Sequence, residues 1–196
     1  MQFIYETERL LLKIVNASAA EQILDFYLRD KELFEQFEPD RIPDFYTIPK
    51  LRQISDLEYR AAQNGTIYRY YAYEKENPDK IIGTVCFHDI RWGFSPHCEI
   101  GYKFSSAYHR RGYATEALQT ITQAIFTDLG LHYITAWVLP DNIASISLLT
   151  RVGFAFEKTK RSHLFLQGQW RDHAMYVMLN PKDRPPFLFQ SRRHSQ

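Results

Sequence analysis

The hydrophobic period of this chain changes sharply at Ala114. Ahead of that point, strand-forming runs dominate: Ile67-Tyr68-Arg69-Tyr70-Tyr71-Ala72-Tyr73, then Lys80-Ile81-Ile82-Gly83-Thr84-Val85-Cys86-Phe87, then Cys98-Glu99-Ile100-Gly101-Tyr102-Lys103-Phe104. Beyond it, Ala114, Ala117, Leu118, Ile121, Ala124, Ile125 and Leu129 share one helical face, and Gly130 follows as a stop. His132 to Leu139 then reads as a buried strand and Ser145 to Val152 as a helix ending at Gly153. Phe154–Thr159 and Ala174–Leu179 fit two further strands. Strands joined by turns, followed by strands joined by helices, define the class as α/β (α+β): a mixed sheet covered by helices.

The remaining segments fit that class. Glu8 to Val15 is short and apolar, as in a buried strand, and Asn16 and Ser18 offer caps for a helix burying Ile23, Leu24, Phe26, Tyr27 and Leu28. Residues 29–48 are broken by Pro39 and Pro43, which predicts irregular chain or short helices. Pro49 suits the first turn of a helix running to about Gln63, stopped by Asn64-Gly65. Asn77-Pro78-Asp79 reads as a turn. With no repeat and no linker, residues 1–181 are expected to form one domain. Residues 182–196 read as a polar tail, in which Phe187-Leu188-Phe189 could dock on the body or on a partner.

Charge narrows the function. Lys and Arg number 24 against 23 Asp and Glu, a net +1, and Arg192-Arg193 is too short for a basic stripe. Neither a nucleic acid nor a membrane surface is an expected partner. No run approaches the roughly 18 apolar residues of a spanning helix. The first residues lack the basic start and apolar core of a signal peptide, and two cysteines outside any CxxC pair read as reduced, so a cytoplasmic protein is expected. Seven histidines and two cysteines show no ligand spacing, so no metal is expected. The 13 Tyr and 14 Phe read first as core and interface, and make a homodimer reasonable.

The stretch that carries chemistry is His109-Arg110-Arg111-Gly112-Tyr113-Ala114-Thr115-Glu116, between a strand and a helix. A helix start offers backbone N–H groups without internal partners and a dipole that favours an anion. Gly112 permits close approach and the arginines add positive charge, as a diphosphate requires; the alternative is a turn glycine beside solvated arginines. Walker-type spacing is absent. A second strand-to-helix junction holds Asp141, Asn142 and Ser145. These are cap residues in one reading. In the other, Asn142 orients a ligand and Ser145 gives a proton, at the strand ends where open α/β sheets bind ligands.

Five segments in order now resemble a known family: Glu6-Thr7-Glu8-Arg9-Leu10-Leu11-Leu12, Glu99-Ile100-Gly101-Tyr102, Arg111-Gly112-Tyr113-Ala114-Thr115-Glu116-Ala117-Leu118, Asn142-x-x-Ser145 and Gly153-Phe154. Together they are similar to the GNAT superfamily of acetyl-CoA-dependent N-acetyltransferases, and most to its branch acting on the N-terminal alanine or serine of ribosomal proteins. The resemblance covers about residues 6–180. It implies a twisted sheet of about seven strands flanked by about four helices, with two parallel strands splayed around the acyl-CoA. It also implies that the backbone of Arg110, Arg111, Gly112, Tyr113, Ala114 and Thr115 holds the CoA diphosphate. Tyr102, Lys103 and Phe104 would offer backbone groups to the pantetheine arm, Asn142 would hydrogen-bond the cofactor, and Ser145 would protonate the departing thiolate. Two positions depart from the wider pattern. His109 stands where Arg or Gln is frequent, and Leu149 where a tyrosine often supplies the acid, which leaves that role to Ser145.

Attack on a thioester needs an amine that has lost its proton. Glu99, acting through water, is the candidate base, and His88 beside Asp89 is the alternative. The acceptor implied is a protein N-terminus. The alternatives are a small amine (polyamine, amino sugar or antibiotic) or a non-catalytic acyl-CoA-binding module. Residues 20–64 should wall the acceptor site, where Glu32, Glu35, Glu38, Asp40 and Asp44 would attract a cation or simply face solvent.

Overall fold

A computed structural model describes residues 1–183. In chain order the elements are β1 (Ile4–Glu6), β2 (Leu10–Lys13), α1 (Ala20–Arg29), α2 (Lys31–Glu35), α3 (Ile48–Gln63), β3 (Tyr68–Glu74), β4 (Asn77–Arg91), β5 (His97–Phe104), α4 (Tyr113–Leu129), β6 (Tyr133–Val138), α5 (Ile143–Val152), β7 (Ala155–Leu166) and β8 (Gln169–Leu179). The strands form one sheet ordered β1-β2-β3-β4-β5-β6-β8-β7, antiparallel throughout except between β5 and β6. The mixed α/β class is as expected. Eight strands and five α-helices stand among the described residues where about seven and about four were anticipated. The extra strand arises because residues 4–13 make two short strands around a turn, in which the Leu10 N–H donates to Thr7 Oγ1 at 2.8 Å. The extra helix is the single turn and a half of α2.

Both faces of the sheet are covered, and β3 shows how the sequence does it. Its side chains alternate: Tyr70 and Ala72 enter a core built with Leu118, Ile121 and Ile125 of α4, while Tyr71 and Tyr73 enter a second core with Ile23, Phe26 and Tyr27 of α1 and Leu51 of α3. A strand buried on both faces reads as a nearly unbroken run of large residues, as Tyr68–Tyr73 does. Cys86 and Cys98 are free and buried in these layers; burial pushes both thiols up, Cys98 to about 12.

Two expectations are corrected. Asn77-Pro78-Asp79 is not the turn: β4 begins at Asn77, opposite Glu74, and Lys75-Glu76 makes the link. Pro78, Asp79 and Lys80 fall in the register shift between the pairs Glu74↔Asn77 and Tyr73↔Ile81, a bulge in which a missing proline N–H leaves no ladder bond unmade. The strands read at 154–159 and 174–179 are the ends of a much longer hairpin, β7–β8. Of the expected tail 182–196, residues 184–196, with Phe187-Leu188-Phe189, lie outside the described residues.

Gly83 is the most tightly enclosed of the glycines. A Cβ there would stand 2.3 Å from the ring of Phe104, its partner across β4 and β5. Gly83→Ala is therefore expected to lower stability by about 1–3 kcal/mol, the usual cost of overpacking a core. Denaturant unfolding checks this; an unchanged midpoint would show that the Phe104 ring swings aside freely.

Candidate active site between two parting strands

The parallel ladder between β5 and β6 is three pairs long: His97↔Tyr133, Cys98↔Ile134 and Glu99↔Thr135. Both strands continue, β5 to Phe104 and β6 to Val138, but each then pairs only with its outer neighbour, β4 or β8. The inner edge of β5 past Glu99 thus has no strand beside it. The pleat of β5 sends Ile100 and Phe104 into the core beneath α4, with Tyr102 packed against it. Gly101, paired with Cys86, and Lys103 face the side of α1 and α2.

At the far end of β5 the chain turns into α4. Gly112 is its N-cap at φ +82°, a left-handed conformation open to glycine, and Arg110 is also left-handed at φ +59°. No side chain caps α4, and its first internal bond runs from the Glu116 N–H to the Gly112 carbonyl at 3.0 Å. By contrast Thr47 caps α3 and Asn142 caps α5. Among the described residues the N–H groups of Tyr113, Ala114 and Thr115 therefore point out of the helix start without a protein acceptor, the arrangement that receives an anion. Arg110 and Arg111 are exposed beside it.

The corner is braced by a residue to which the sequence reading gave no role. The Arg9 guanidinium lies over the Tyr113 ring, 4.4 Å from its centroid. It pairs with Glu116 at 2.7 Å and donates to the Arg111 carbonyl at 3.0 Å. Thr7 and the Arg9 main-chain N–H also bind Glu116, and these contacts outweigh burial to hold its carboxyl below the usual range. Nothing local in the sequence announces this, because Glu116 is more than a hundred residues away.

The second junction performs the capping role weighed for it. Asn142 Oδ1 accepts from the Ser145 N–H at 3.0 Å, a true cap, while its amide NH₂ makes no hydrogen bond among the described residues. Asp141 is drawn off to Arg171 at 2.8 Å. Ser145 Oγ lies 2.7 Å from Tyr102 Oη. Leu149, at the position of the missing tyrosine, is wholly buried in the core. His109 reaches back so that its Nε2 lies 2.9 Å from the Phe104 carbonyl oxygen, which occupies one backbone group expected to meet the pantetheine arm.

On the opposite face, Glu99 Oε1 accepts from Trp137 Nε1–H at 3.2 Å, and His88 is its partner in register. His88, Asp89 and Glu99 each bring a potential ligand atom within 4.8 Å of the others, a grouping in space that the linear spacing hid. His88 Nδ1 lies 3.1 Å from the Asp89 carboxylate. Lys103 pairs with Glu38 beneath the rings of Tyr27 and Phe34, and burial pulls its ammonium down to about 8 against the raising effect of Glu38. The acidic wall is largely engaged within the protein: Glu38 also pairs with Arg41, Glu35 accepts from Tyr46 Oη at 2.7 Å, and Asp44 meets Lys50 at 3.6 Å. A cleft of about 400 Å³ opens there between α2, residues 38–46 and Gln167 of the β7–β8 turn.

Comparisons with known proteins bear on the family and the fold. Residues 9–155 match the acetyltransferase (GNAT) domain family. A probable N-acetyltransferase, YjcK of Bacillus subtilis, is 32% identical over 165 residues, 84% of this chain and 90% of that protein. The ribosomal protein uS5-alanine N-acetyltransferase of Escherichia coli is 26% identical over 184 residues, 91% and 92% of the two chains. The crystal structure of a ribosomal-protein-S5-alanine acetyltransferase from Vibrio fischeri superposes with a TM-score of 0.87 at 25% identity, covering 94% of this chain and all of that one.

Proposed function

The chain belongs to the GNAT acetyltransferase family and is an acetyl-CoA-dependent N-acetyltransferase, and from that premise we propose that its acceptor is the N-terminal amine of a protein, a ribosomal protein first among them, in the cytoplasm. The observation that carries the reading is the gap past Glu99↔Thr135, which ends at the uncapped start of α4. A diphosphate held by the amides of residues 110–115 would run its pantetheine arm along the open edge of Tyr102, Lys103 and Phe104. The thioester then lies between the strands, with Asn142 and Ser145 on one side and Glu99 on the other. Support for the choice of acceptor comes from the uS5-alanine and S5-alanine enzymes named above, which match over nearly their whole length.

The chemistry is a direct transfer. Glu99, through water, takes a proton from the acceptor's ammonium, and the free amine attacks the thioester carbonyl. The carbonyl oxygen gains charge beside unpaired backbone N–H groups of the splayed edge, a term that commonly dominates acyl transfer. The C–S bond then breaks, Ser145 gives its proton to sulfur, and through water it recovers one from the new amide nitrogen. Glu99→Gln is expected to lower kcat about tenfold at neutral pH with acetyl-CoA affinity held within about twofold, less than for a directly placed base because water remains. An unchanged kcat would remove Glu99 from this role.

Mass spectrometry of acetyl-CoA incubated with the protein and a panel of N-terminal peptides, polyamines and amino sugars tests the assignment. Acetylation of alanine- or serine-starting peptides is expected. Transfer to a small amine alone would overturn the acceptor, and cofactor binding without any transfer would overturn catalysis.

A further inference from the structure

Ser145 is not a free hydroxyl at the start of a helix. Its main-chain N–H is tied to Asn142 Oδ1 at 3.0 Å, and the Tyr102 phenol crosses from β5 to meet its side chain, with Oη 2.7 Å from Ser145 Oγ and 3.3 Å from the Ser145 carbonyl oxygen. Tyr102 stands three residues past the last parallel pair, so its ring lines the gap between β5 and β6. The pleat that places it there also packs it against the core beneath α4, which fixes where the phenol ends. A serine hydroxyl otherwise chooses among three staggered positions and turns freely about its C–O bond. One short hydrogen bond to a fixed partner removes most of that freedom.

We propose that Tyr102 is the positioning residue for protonation of the leaving thiolate: its phenol donates to Ser145 Oγ and so turns the serine proton away from the phenol and toward the sulfur of CoA. The inference rests on the acetyl-transfer reading of the same site. The shorter of the two contacts, to Oγ, is the one that directs the proton. In the step itself, the C–S bond of the tetrahedral adduct breaks with its electron pair on sulfur, and sulfur takes the proton of Ser145 Oγ. The serine oxygen recovers a proton, through water, from the surplus on the new amide nitrogen. Serine ends as it began and Tyr102 keeps its own proton throughout. Burial pushes the phenol well above the ordinary tyrosine value, and the bond to Ser145 offsets only part of that, so Tyr102 keeps its proton and is not the acid.

A purely structural tyrosine would pack in the same place, so the test separates the hydroxyl from the ring. Steady-state kinetics with acetyl-CoA and a peptide bearing a free N-terminal alanine are compared for the unaltered chain, Tyr102→Phe, Ser145→Ala and the double variant. Tyr102→Phe keeps the ring and is expected to lower kcat about tenfold, the worth of one well-placed hydrogen bond, with the acetyl-CoA dissociation constant within about twofold. In the Ser145→Ala background the same change is expected to do nothing further, because the hydroxyl it positions is gone. A kcat unchanged in Tyr102→Phe, or an equal further loss on top of Ser145→Ala, would overturn the proposal while leaving acetyl transfer intact. An unaltered chain that neither binds acetyl-CoA in calorimetry nor acetylates the peptide would instead strike the acetyl-transfer reading itself.

Discussion

Gly112→Asp is expected to weaken acetyl-CoA binding roughly a hundredfold, about 2.7 kcal/mol, because it sets a carboxylate within a few ångströms of a bound diphosphate. The backbone should survive the change. Gly112 sits at φ +82°, and aspartate tolerates the left-handed region better than most residues. A Cβ there would meet only the end of the flexible Arg9 side chain, at 3.2 Å. Gly112→Asn serves as the control, having the same shape without the charge. Titration calorimetry on both variants separates repulsion from crowding: the asparagine variant is expected to lose far less. Equal losses would mean that space and not charge matters at this corner. No loss in either would mean that the cofactor's phosphates lie elsewhere.

Ser145→Ala is expected to lower kcat about a hundredfold, the lower range for removal of a placed proton donor, with acetyl-CoA affinity held within about twofold. The separation follows from the geometry. The Ser145 contribution to the helix start is its N–H, which Asn142 caps and which alanine keeps, so α5 and the Asn142 amide stay in place. What leaves is the hydroxyl 2.7 Å from Tyr102. Single-turnover kinetics with saturating acetyl-CoA read the chemical step without product release. Undiminished turnover would show that the thiolate departs unaided.

The elements that could be read from the sequence were those whose signal is local. The face of α4, the proline start of α3 and the aromatic run of β3 each reveal themselves within a dozen residues, and all three stand where periodicity put them. The middle of the β7–β8 hairpin escaped for a physical reason. Most of β7 is exposed, so no alternation marks it, and its turn, Gln167-Gly168 with both residues at positive φ, is the sole local cue. Within the site, the chemistry-bearing loops were legible as a glycine before a helix and a cap before another. Their partners were not. The links from Arg9 to Glu116, from His109 to the Phe104 carbonyl and from Tyr102 to Ser145 depend on which side chains the pleat of β5 and the start of α4 bring together. Asn142 shows that capping does not use up the side chain: Oδ1 caps, and the NH₂ makes no hydrogen bond among the described residues.

The placement of the two cysteines has a practical consequence at the bench. Cys86 and Cys98 are sealed in the core, with thiols that hold their protons well above neutral pH. Colour reagents for sulfhydryl groups act on accessible thiolates, so the folded enzyme should be nearly silent toward them. Each acetyl group delivered liberates one CoA, and a continuous absorbance trace would then count turnovers directly, with little background from the catalyst.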